Sequence, residues 1–74
     1  MSNSARAMLV DAENQFKNAG IDSARVDAEI LLAHVLGISR SGISLLMEFT
    51  DEQRREFEKL CQLRQSRVPL QHLT

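Results

Sequence analysis

The sequence is poor in the residues that build disulfides, metal centres and aromatic binding sites. Its 74 residues include one cysteine, two histidines, three phenylalanines and no tryptophan or tyrosine. A single cysteine excludes an internal disulfide and a cysteine cluster around a metal ion. It is also typical of proteins that stay in the reducing cytoplasm. We therefore expect a cytoplasmic protein without a metal site.

The chain also lacks a charge excess and a long apolar run. Nine lysines and arginines are scattered along it, and ten acidic residues bring the net charge to −1. Nucleic-acid binding depends on a basic face, so we expect no direct nucleic-acid partner. Asp11 and Glu13 interrupt the early apolar residues that a secretory leader would need, and no apolar run is long enough to span a bilayer. We expect no membrane partner, and a monomer.

One proline and three glycines divide the chain into a few stretches of helical pattern. The first predicted helix covers residues 4–18, and its apolar residues fall within an arc of roughly 100°. Gly20 can adopt a left-handed conformation without penalty and so ends this helix, with Ile21 as the apolar residue that follows. The residues of the apolar arc are Ala5, Met8, Leu9, Ala12, Phe16 and Ala19.

The second predicted helix is apolar almost all the way round. It starts at Asp22 or Ser23, either of which can cap it, and it ends at Gly37. The main gap in its apolar surface is a narrow stripe that holds Asp27 and His34. A helix of this kind must be surrounded by others, so we expect it to lie at the centre of the fold.

A short third helix is predicted over residues 40–47, with Ser39 as its cap. Gly42 weakens it by about 1 kcal/mol relative to alanine, so packing has to hold it together. Helices two and three could mimic a helix-turn-helix motif, yet the would-be recognition helix is mainly apolar, which is the pattern of a packing helix and not of a base reader. Its apolar residues for packing are Ile43, Leu46 and Met47.

The fourth predicted helix has the clearest start. Thr50 and Gln53 form a capping box, and Asp51 and Glu52 complement the positive end of the helix dipole. Pro69 disfavours helix at the residue before it and can begin a new turn, which would be a fifth helical element. The residues predicted to face inward are Phe57, Leu60, Cys61 and Leu63. The opposite, solvated face carries Glu52, Arg54, Arg55, Glu58, Lys59, Gln62, Gln65 and Ser66.

These patterns predict an all-α fold, a small orthogonal bundle of four to five helices around a central apolar helix. No stretch alternates with the period of two that a strand needs. Seventy-four residues make one domain at most. We assign residues 1–68 to the bundle and residues 69–74 to the start of a linker. The apolar start of that last segment, with nothing after it, indicates a part of a longer protein.

The sequence offers no catalytic, cofactor-binding or metal-ligating residues that we can name. Asp27 and His34 lie two turns apart on one helix, where a carboxylate could orient an imidazole as a general base. No nucleophile or oxyanion donor stands near them, so we interpret them as a structural or surface pair. Cys61 lies on an apolar face and behaves there as a small hydrophobe, although the nearby Arg64 could make it reactive.

Arg64 has an unusual position for a charged residue. It falls inside the apolar arc of the fourth helix, so its aliphatic stem should pack on the core while its guanidinium reaches an acid. Asp27 and Glu29 on the second helix are the two candidates. We predict an ion pair between Arg64 and one of them; the alternative is an arginine whose head lies in solvent.

Three stretches together resemble the N-terminal domain of the HemK/PrmC family, bacterial methyltransferases that act on a glutamine of release factors. The first is residues 19–37, Ala-Gly-Ile-Asp-Ser-Ala-Arg-Val-Asp-Ala-Glu-Ile-Leu-Leu-Ala-His-Val-Leu-Gly. The second is residues 50–53, Thr-Asp-Glu-Gln, at the start of the last long helix. The third is Arg64 followed by residues 69–74, Pro-Leu-Gln-His-Leu-Thr. Their spacing also matches, and together they cover most of the chain.

The resemblance implies a small helical bundle in front of a Rossmann-like methyltransferase domain that binds S-adenosylmethionine. The family's catalytic Asn-Pro-Pro-Tyr motif and glycine-rich cofactor loop belong to that second domain and are not in this sequence. The fragment alone is therefore expected to be non-catalytic and to hold no cofactor. Its expected partners are a class I peptide chain release factor, whose Gly-Gly-Gln glutamine is methylated, and the absent catalytic domain.

One departure from the family concerns the end of the bundle. The family commonly has Gly-Glu before the Pro-Leu-Gln segment, whereas Arg67 and Val68 stand there in this chain. The difference bears on the hinge between the two domains and not on the identity of this one. Residues 69–74 are expected to be loose, because their partner is missing.

Two other functions stay open from the sequence alone. An autonomous helical interaction module, unrelated to any enzyme, predicts an exposed apolar groove. A purely structural domain would support the catalytic domain without touching the release factor, and its main contact would be the C-terminal segment. The candidate contact residues are of equal rank: Arg25, Arg40 and the polar face of the last helix.

Overall fold

The described part of the chain folds into three α-helices joined by short connections. The computed structural model describes residues 4–43 and 47–74. No helix within these residues is both long and apolar enough to cross a membrane. The helices are α1, Ala5–Asn18; α2, Ala24–Leu36; and α3, Asp51–Gln65.

Two short 3-10 turns complete the secondary structure of the described residues. Arg40–Gly42 lies between α2 and α3, and Leu70–His72 follows α3. An isolated antiparallel bridge joins Ser4 to Glu48, and no named strand occurs in the parts of the chain that the structure covers. The prediction of an all-helical chain is therefore confirmed.

Two of the three α-helices begin with a side chain that caps the helix through a hydrogen bond. The Thr50 hydroxyl accepts from the backbone N–H of Gln53 over 3.1 Å, and the Gln53 side chain accepts from the N–H of Thr50 over 3.0 Å. This is the predicted capping box, which satisfies two N–H groups that a helix start leaves without partners. Ser4 caps α1 through Ala7. Ser23 precedes α2 but its hydroxyl makes no cap bond.

All three helices end in a left-handed residue. Gly20 has φ 80° after α1 and Gly37 has φ 70° after α2, as the sequence predicts. After α3 the same role falls to Arg67, also with φ 70°. The next N–H, that of Val68, donates back to the carbonyl of Leu63 over 3.2 Å, which is the Schellman pattern. The end of α3 therefore uses a residue with a side chain where glycine is usual.

The core lies where the three helices meet. Phe16, Leu9, Leu31 and Leu32 are its largest fully buried side chains, drawn from α1 and α2. Phe57 of α3 packs edge to face on Phe49, with ring centroids 6.0 Å apart and an interplanar angle of 80°. Such aromatic pairs add about 0.5–1.5 kcal/mol beyond the area they bury. The other core residues are Ala5, Met8, Ala12, Ile21, Ala24, Ala28, Leu60 and Cys61.

The predicted third helix is wrong over its described part. Only Arg40–Gly42 forms a single 3-10 turn, and Ile43 after it is extended, with φ −69° and ψ 125°. Forming a first helical turn is costly, and a segment this short with a glycine inside it has too few residues to recover that cost. Ile43 and Met47 pack against the core as predicted. Residues 44–46, including Leu46, lie outside the described residues.

The predicted bundle of four to five helices around a central helix is not confirmed. Val26 on α2 is 40% exposed, and the Arg25 and His34 side chains on the same helix are also exposed. Leu63 of α3, predicted to face inward, is 38% exposed. With three α-helices and two turns described, α2 is covered on one side and open on the other.

The C-terminal segment is ordered against the bundle, so the expectation of a loose segment is wrong. The 3-10 turn Leu70–His72 places Leu70 and Leu73 on one side, because side chains three residues apart align in a 3-10 turn. Both leucines are half-buried and pack on the core. The boundary between residues 1–68 and 69–74 stays a prediction, but the last turn is part of the packed structure.

Candidate protein-interaction surface

Asp27 and His34 do not pair, so both the structural or surface pair that we expected and the acid–base alternative are wrong. His34 is exposed, whereas Asp27 is buried and only 5% exposed. The Asp27 carboxylate is fully engaged elsewhere: its Oδ1 accepts from the Ser23 hydroxyl over 3.0 Å and its Oδ2 accepts from Arg64. Asp27 therefore serves as a structural anchor and makes no hydrogen bond to His34.

Arg64 makes the predicted buried ion pair, and its partner is Asp27. Arg64 Nη2 lies 3.0 Å and Nε 3.1 Å from Asp27 Oδ2, with the two side chains 18% and 7% exposed. Nη1 also donates to the carbonyl of Val68 over 3.5 Å. Glu29, the other candidate, points to surface arginines instead. Arg64 thus joins α2, α3 and the chain leaving α3.

Cys61 is an inert core thiol, as its position on the apolar face predicts. It is 4% exposed, and burial raises its pKa to about 12, with smaller contributions from the carboxylates of Glu58 and Asp11. The thiolate is the reactive form, so the thiol stays protonated and unreactive near neutral pH. Across residues 4–43 and 47–74, no three histidine, cysteine or acidic side chains cluster closely enough to hold a metal ion.

An ionic chain of five residues crosses the surface of α1, α2 and the turn after α2. It runs from Lys17 to Glu13 (3.0 Å), from Glu13 to Arg25 (3.1 Å), from Arg25 to Glu29 (3.3 Å) and from Glu29 to Arg40 (3.4 Å). Hydrogen bonds from Lys17 and Arg25 hold the pKa of Glu13 below its ordinary 4.5.

The ionic chain brings together two of the contact residues suggested by the sequence. Arg25 and Arg40 lie on either side of Glu29, and both arginine side chains are about half exposed. Exposed pairs of this kind contribute about 0–1 kcal/mol each, so the ionic chain adds little to stability. A partner that bound these arginines would have to compete with carboxylates that already contact them.

A groove opens on another side of the molecule, between α1 and α3. Its volume is about 180 Å³. α1 contributes Met8, Asp11 and Ala12 to its wall, and α3 contributes Phe57, Glu58 and Cys61. Sequence reasoning missed this groove, although the spacing of its residues by three or four positions on each helix marks two facing stripes. We call it the α1–α3 groove.

The sequence model of the PrmC N-terminal domain family matches residues 7–74. The chain belongs to this family. The match begins inside α1 and includes α2, the capping box of α3 and the C-terminal turn. The resemblance drawn from three stretches of sequence is therefore confirmed over nearly the whole chain.

Three bacterial relatives of this PrmC N-terminal domain share the name release factor glutamine methyltransferase. A release factor glutamine methyltransferase of Mycobacterium leprae is 43% identical over 92% of the chain and 24% of its own length. One from Deinococcus radiodurans is 39% identical over 93% of the chain and 26% of its own length. One from Dictyoglomus turgidum is 34% identical over 99% and 26%.

The chain spans about a quarter of the length of these relatives. The family match takes in most of α1 and all of α2 and α3. No solved structure matches the chain significantly.

Proposed function

We propose that this chain is the substrate-positioning domain of an S-adenosylmethionine-dependent release factor glutamine methyltransferase. The observation that carries the proposal is the family match over residues 7–74, together with relatives named for that activity. Under this proposal the domain acts in the cytoplasm, as a monomer, on a class I release factor. It helps to hold that factor so that the glutamine of its Gly-Gly-Gln motif reaches a separate catalytic domain.

The proposal gives the domain itself no catalytic role. Methyl transfer to an amide nitrogen needs a cofactor site and groups that orient the amide for in-line displacement. Two groups in this chain that could take part are held in structural roles. Burial keeps the Cys61 thiol protonated, and the Asp27 carboxylate is held by Arg64 and Ser23. Under this proposal the domain acts by binding a partner through its surface.

A second function, support of the catalytic domain without substrate contact, is favoured by one specific observation. Leu70 and Leu73 pack on the core, so the chain beyond α3 is fastened to the bundle. A C-terminal segment that packs on the bundle would hold a following domain at a defined angle to this one. In that case the bundle would position the catalytic domain, and the release factor would be bound elsewhere.

An NMR titration distinguishes the two functions. The ¹⁵N-labelled 74-residue chain is titrated with a purified class I release factor at moderate salt, after its amide spectrum has shown that it is folded. Shift changes clustered on one face support a substrate-positioning domain and name its contact residues. Unchanged spectra up to about 1 mM partner, equivalent to ~4 kcal/mol of binding free energy, would contradict the substrate contact. That result would favour pure support of the catalytic domain.

A further inference from the structure

α1 and α3 run in the same general direction, and hydrogen bonds join them near both ends. Just ahead of α3, the carbonyl of Met47 accepts from the backbone N–H of Ala5 over 2.8 Å. Near the other end, the Gln65 amide donates to Gln15 Oε1 over 2.7 Å. The α1–α3 groove lies between these two contacts, and Gln15 also lines it, so the contacts help to fix the width of the groove. The packing of α1 against α3 therefore defines the groove.

The floor of the α1–α3 groove is apolar. Met8, Phe57 and Cys61 form it, and they are 8%, 2% and 4% exposed. The volume of about 180 Å³ is below the about 300–1,000 Å³ that is typical of sites for small molecules. A groove of this size and lining suits one inserted side chain of a protein partner better than a cofactor or metabolite.

The rim of the α1–α3 groove is acidic. Asp11 of α1 and Glu58 of α3 stand on opposite sides, and both carboxylates are near enough to the Cys61 thiol to help raise its pKa. Glu58 contacts Arg54 over 3.0 Å, with its side chain 55% exposed. Within residues 4–43 and 47–74, Asp11 has no ion pair or hydrogen bond. The rim therefore has a carboxylate that is free to bind a cation.

We propose that the α1–α3 groove receives one arginine or lysine side chain of the release factor, a proposal that rests on the function proposed above. The aliphatic stem of such a residue would lie on Met8 and Phe57. Its cationic head would lie between Asp11 and Glu58. Long basic side chains combine these two properties, because their stems are apolar and only their heads are charged.

Charge complementarity selects a basic side chain over the alternatives. An inserted leucine or phenylalanine would cover the floor but would gain nothing from the two carboxylates on the rim. An acidic side chain would be repelled by Asp11 and Glu58. A basic head would form a new ion pair with Asp11 and share Glu58 with Arg54. Its charge would also speed encounter through electrostatic steering.

The test uses charge-removing substitutions on the rim. Asp11→Asn and Glu58→Gln, singly and together, are made in the 74-residue chain and titrated with a purified class I release factor. The double variant is expected to raise Kd by about threefold to tenfold, since rim ion pairs contribute modest binding free energy. The wild-type chain should lose more affinity between about 50 and about 200 mM salt than the double variant does. The Met8 methyl signal should shift on binding to the wild-type chain.

Glu56→Gln is the matched control. It removes the same charge from the same helix, and Glu56 lies two positions from Glu58, on the opposite side of α3 and outside the groove. Its Kd should equal that of the wild-type chain. Binding that is unchanged in the double variant, with shifts away from Met8, overturns the groove proposal and leaves the substrate-positioning function standing. Absence of any binding by the wild-type chain overturns both.

Discussion

Arg64 and Asp27 form an ion pair between α3 and α2 in which two guanidinium nitrogens, Nη2 and Nε, lie 3.0 and 3.1 Å from one carboxylate oxygen. The second oxygen of Asp27 accepts from Ser23 on the turn before α2. Within the described residues, every buried side-chain nitrogen and oxygen has a hydrogen-bond partner. The pair therefore lets an arginine and an aspartate lie inside the apolar seam between the helices, because each satisfies the other.

Replacing Arg64 with alanine should destabilise the domain by about 3 kcal/mol. Asp27 would keep only the Ser23 hydroxyl, and a buried carboxylate without its cation is far costlier than the loss of an exposed pair. For a chain of this length that is a large part of a total stability of roughly 4–11 kcal/mol. Urea unfolding followed by circular dichroism at neutral pH measures the loss.

The control for Arg64 is Arg55→Ala, which removes an exposed arginine from the same helix. Its stability should stay within about 0.5 kcal/mol of the wild-type chain. If Arg64→Ala also lost less than about 0.5 kcal/mol, Arg64 would be an arginine in solvent and the buried pair would not exist in solution.

At Arg67, glycine should be more stabilising than alanine, which is the reverse of the order inside a helix. Its φ of 70° is strained for any side chain, so Arg67→Gly should be more stable than Arg67→Ala by about 1 kcal/mol. Both variants lose the hydrogen bond from the guanidinium to the carbonyl of Ala19, 2.9 Å long, so that loss cancels in the comparison. Thermal unfolding of the two variants measures the difference.

A helix interior supplies the comparison for Arg67. At Arg55, within α3, alanine should be more stable than glycine by about 1 kcal/mol, because glycine is a poor helix former. If the alanine variant were also the more stable one at Arg67, Arg67 would not have a left-handed conformation in solution.

Cys61 should react with iodoacetamide only through unfolding. With a pKa of about 12 the folded thiol carries almost no thiolate at about pH 8, so labelling should follow the unfolded fraction as urea is added. An exposed thiol at the next position, Gln62→Cys in a Cys61→Ala background, should label at once in the folded state. Rapid labelling of Cys61 without urea would contradict its burial.

The raised pKa of Cys61 also sets the sign of a pH effect. The folded thiol keeps its proton above the ordinary pKa of 9.0, whereas the unfolded thiol loses it there, so this group's contribution to stability falls as pH rises past 9.0. Between about pH 8 and about pH 10 the wild-type chain should therefore lose more Tm than Cys61→Ala does. Equal losses would mean that the thiol titrates normally in the folded protein.

Leu70 and Leu73 should each contribute to stability if the last turn is packed as described. Leu70→Ala and Leu73→Ala are expected to cost about 1 kcal/mol each, which is below the cost for a fully buried leucine because both are half-buried. Gln71→Ala, an exposed residue between them, is the matched control and should be neutral. If the two leucine variants were as stable as the Gln71→Ala control, the last turn would not pack on the bundle in solution.

Helix boundaries could be predicted because their chemistry is local. The Thr50 capping box and the left-handed glycines Gly20 and Gly37 depend only on residues within one turn, and all three were predicted correctly. Arg67 could not be predicted as a helix end from its residue type, since arginine seldom adopts a positive φ. The only sign was its place where the resembling family commonly has glycine.

Features that depend on distances between helices were predicted in part or missed. The angular position of Arg64 on its helix predicted an ion pair, but the choice between Asp27 and Glu29 required knowing that Glu29 faces Arg25 and Arg40. The α1–α3 groove depends on how far two helices stand apart, which no single helix pattern contains. The third helix failed because packing, and not propensity, decides the conformation of so short a segment.

The ties between α1 and α3 have a consequence for folding kinetics. Gln65 and Gln15 are 50 positions apart, and Arg67 and Ala19 are 48 apart, so both contacts close loops that span most of the chain. The entropy of those loops is lost before the contacts form, and chains with distant contacts fold more slowly than helical hairpins. Because α2 lies between α1 and α3 in the sequence, every contact between α1 and α3 is a distant one. The domain should therefore fold more slowly than a bundle built only from neighbouring helices.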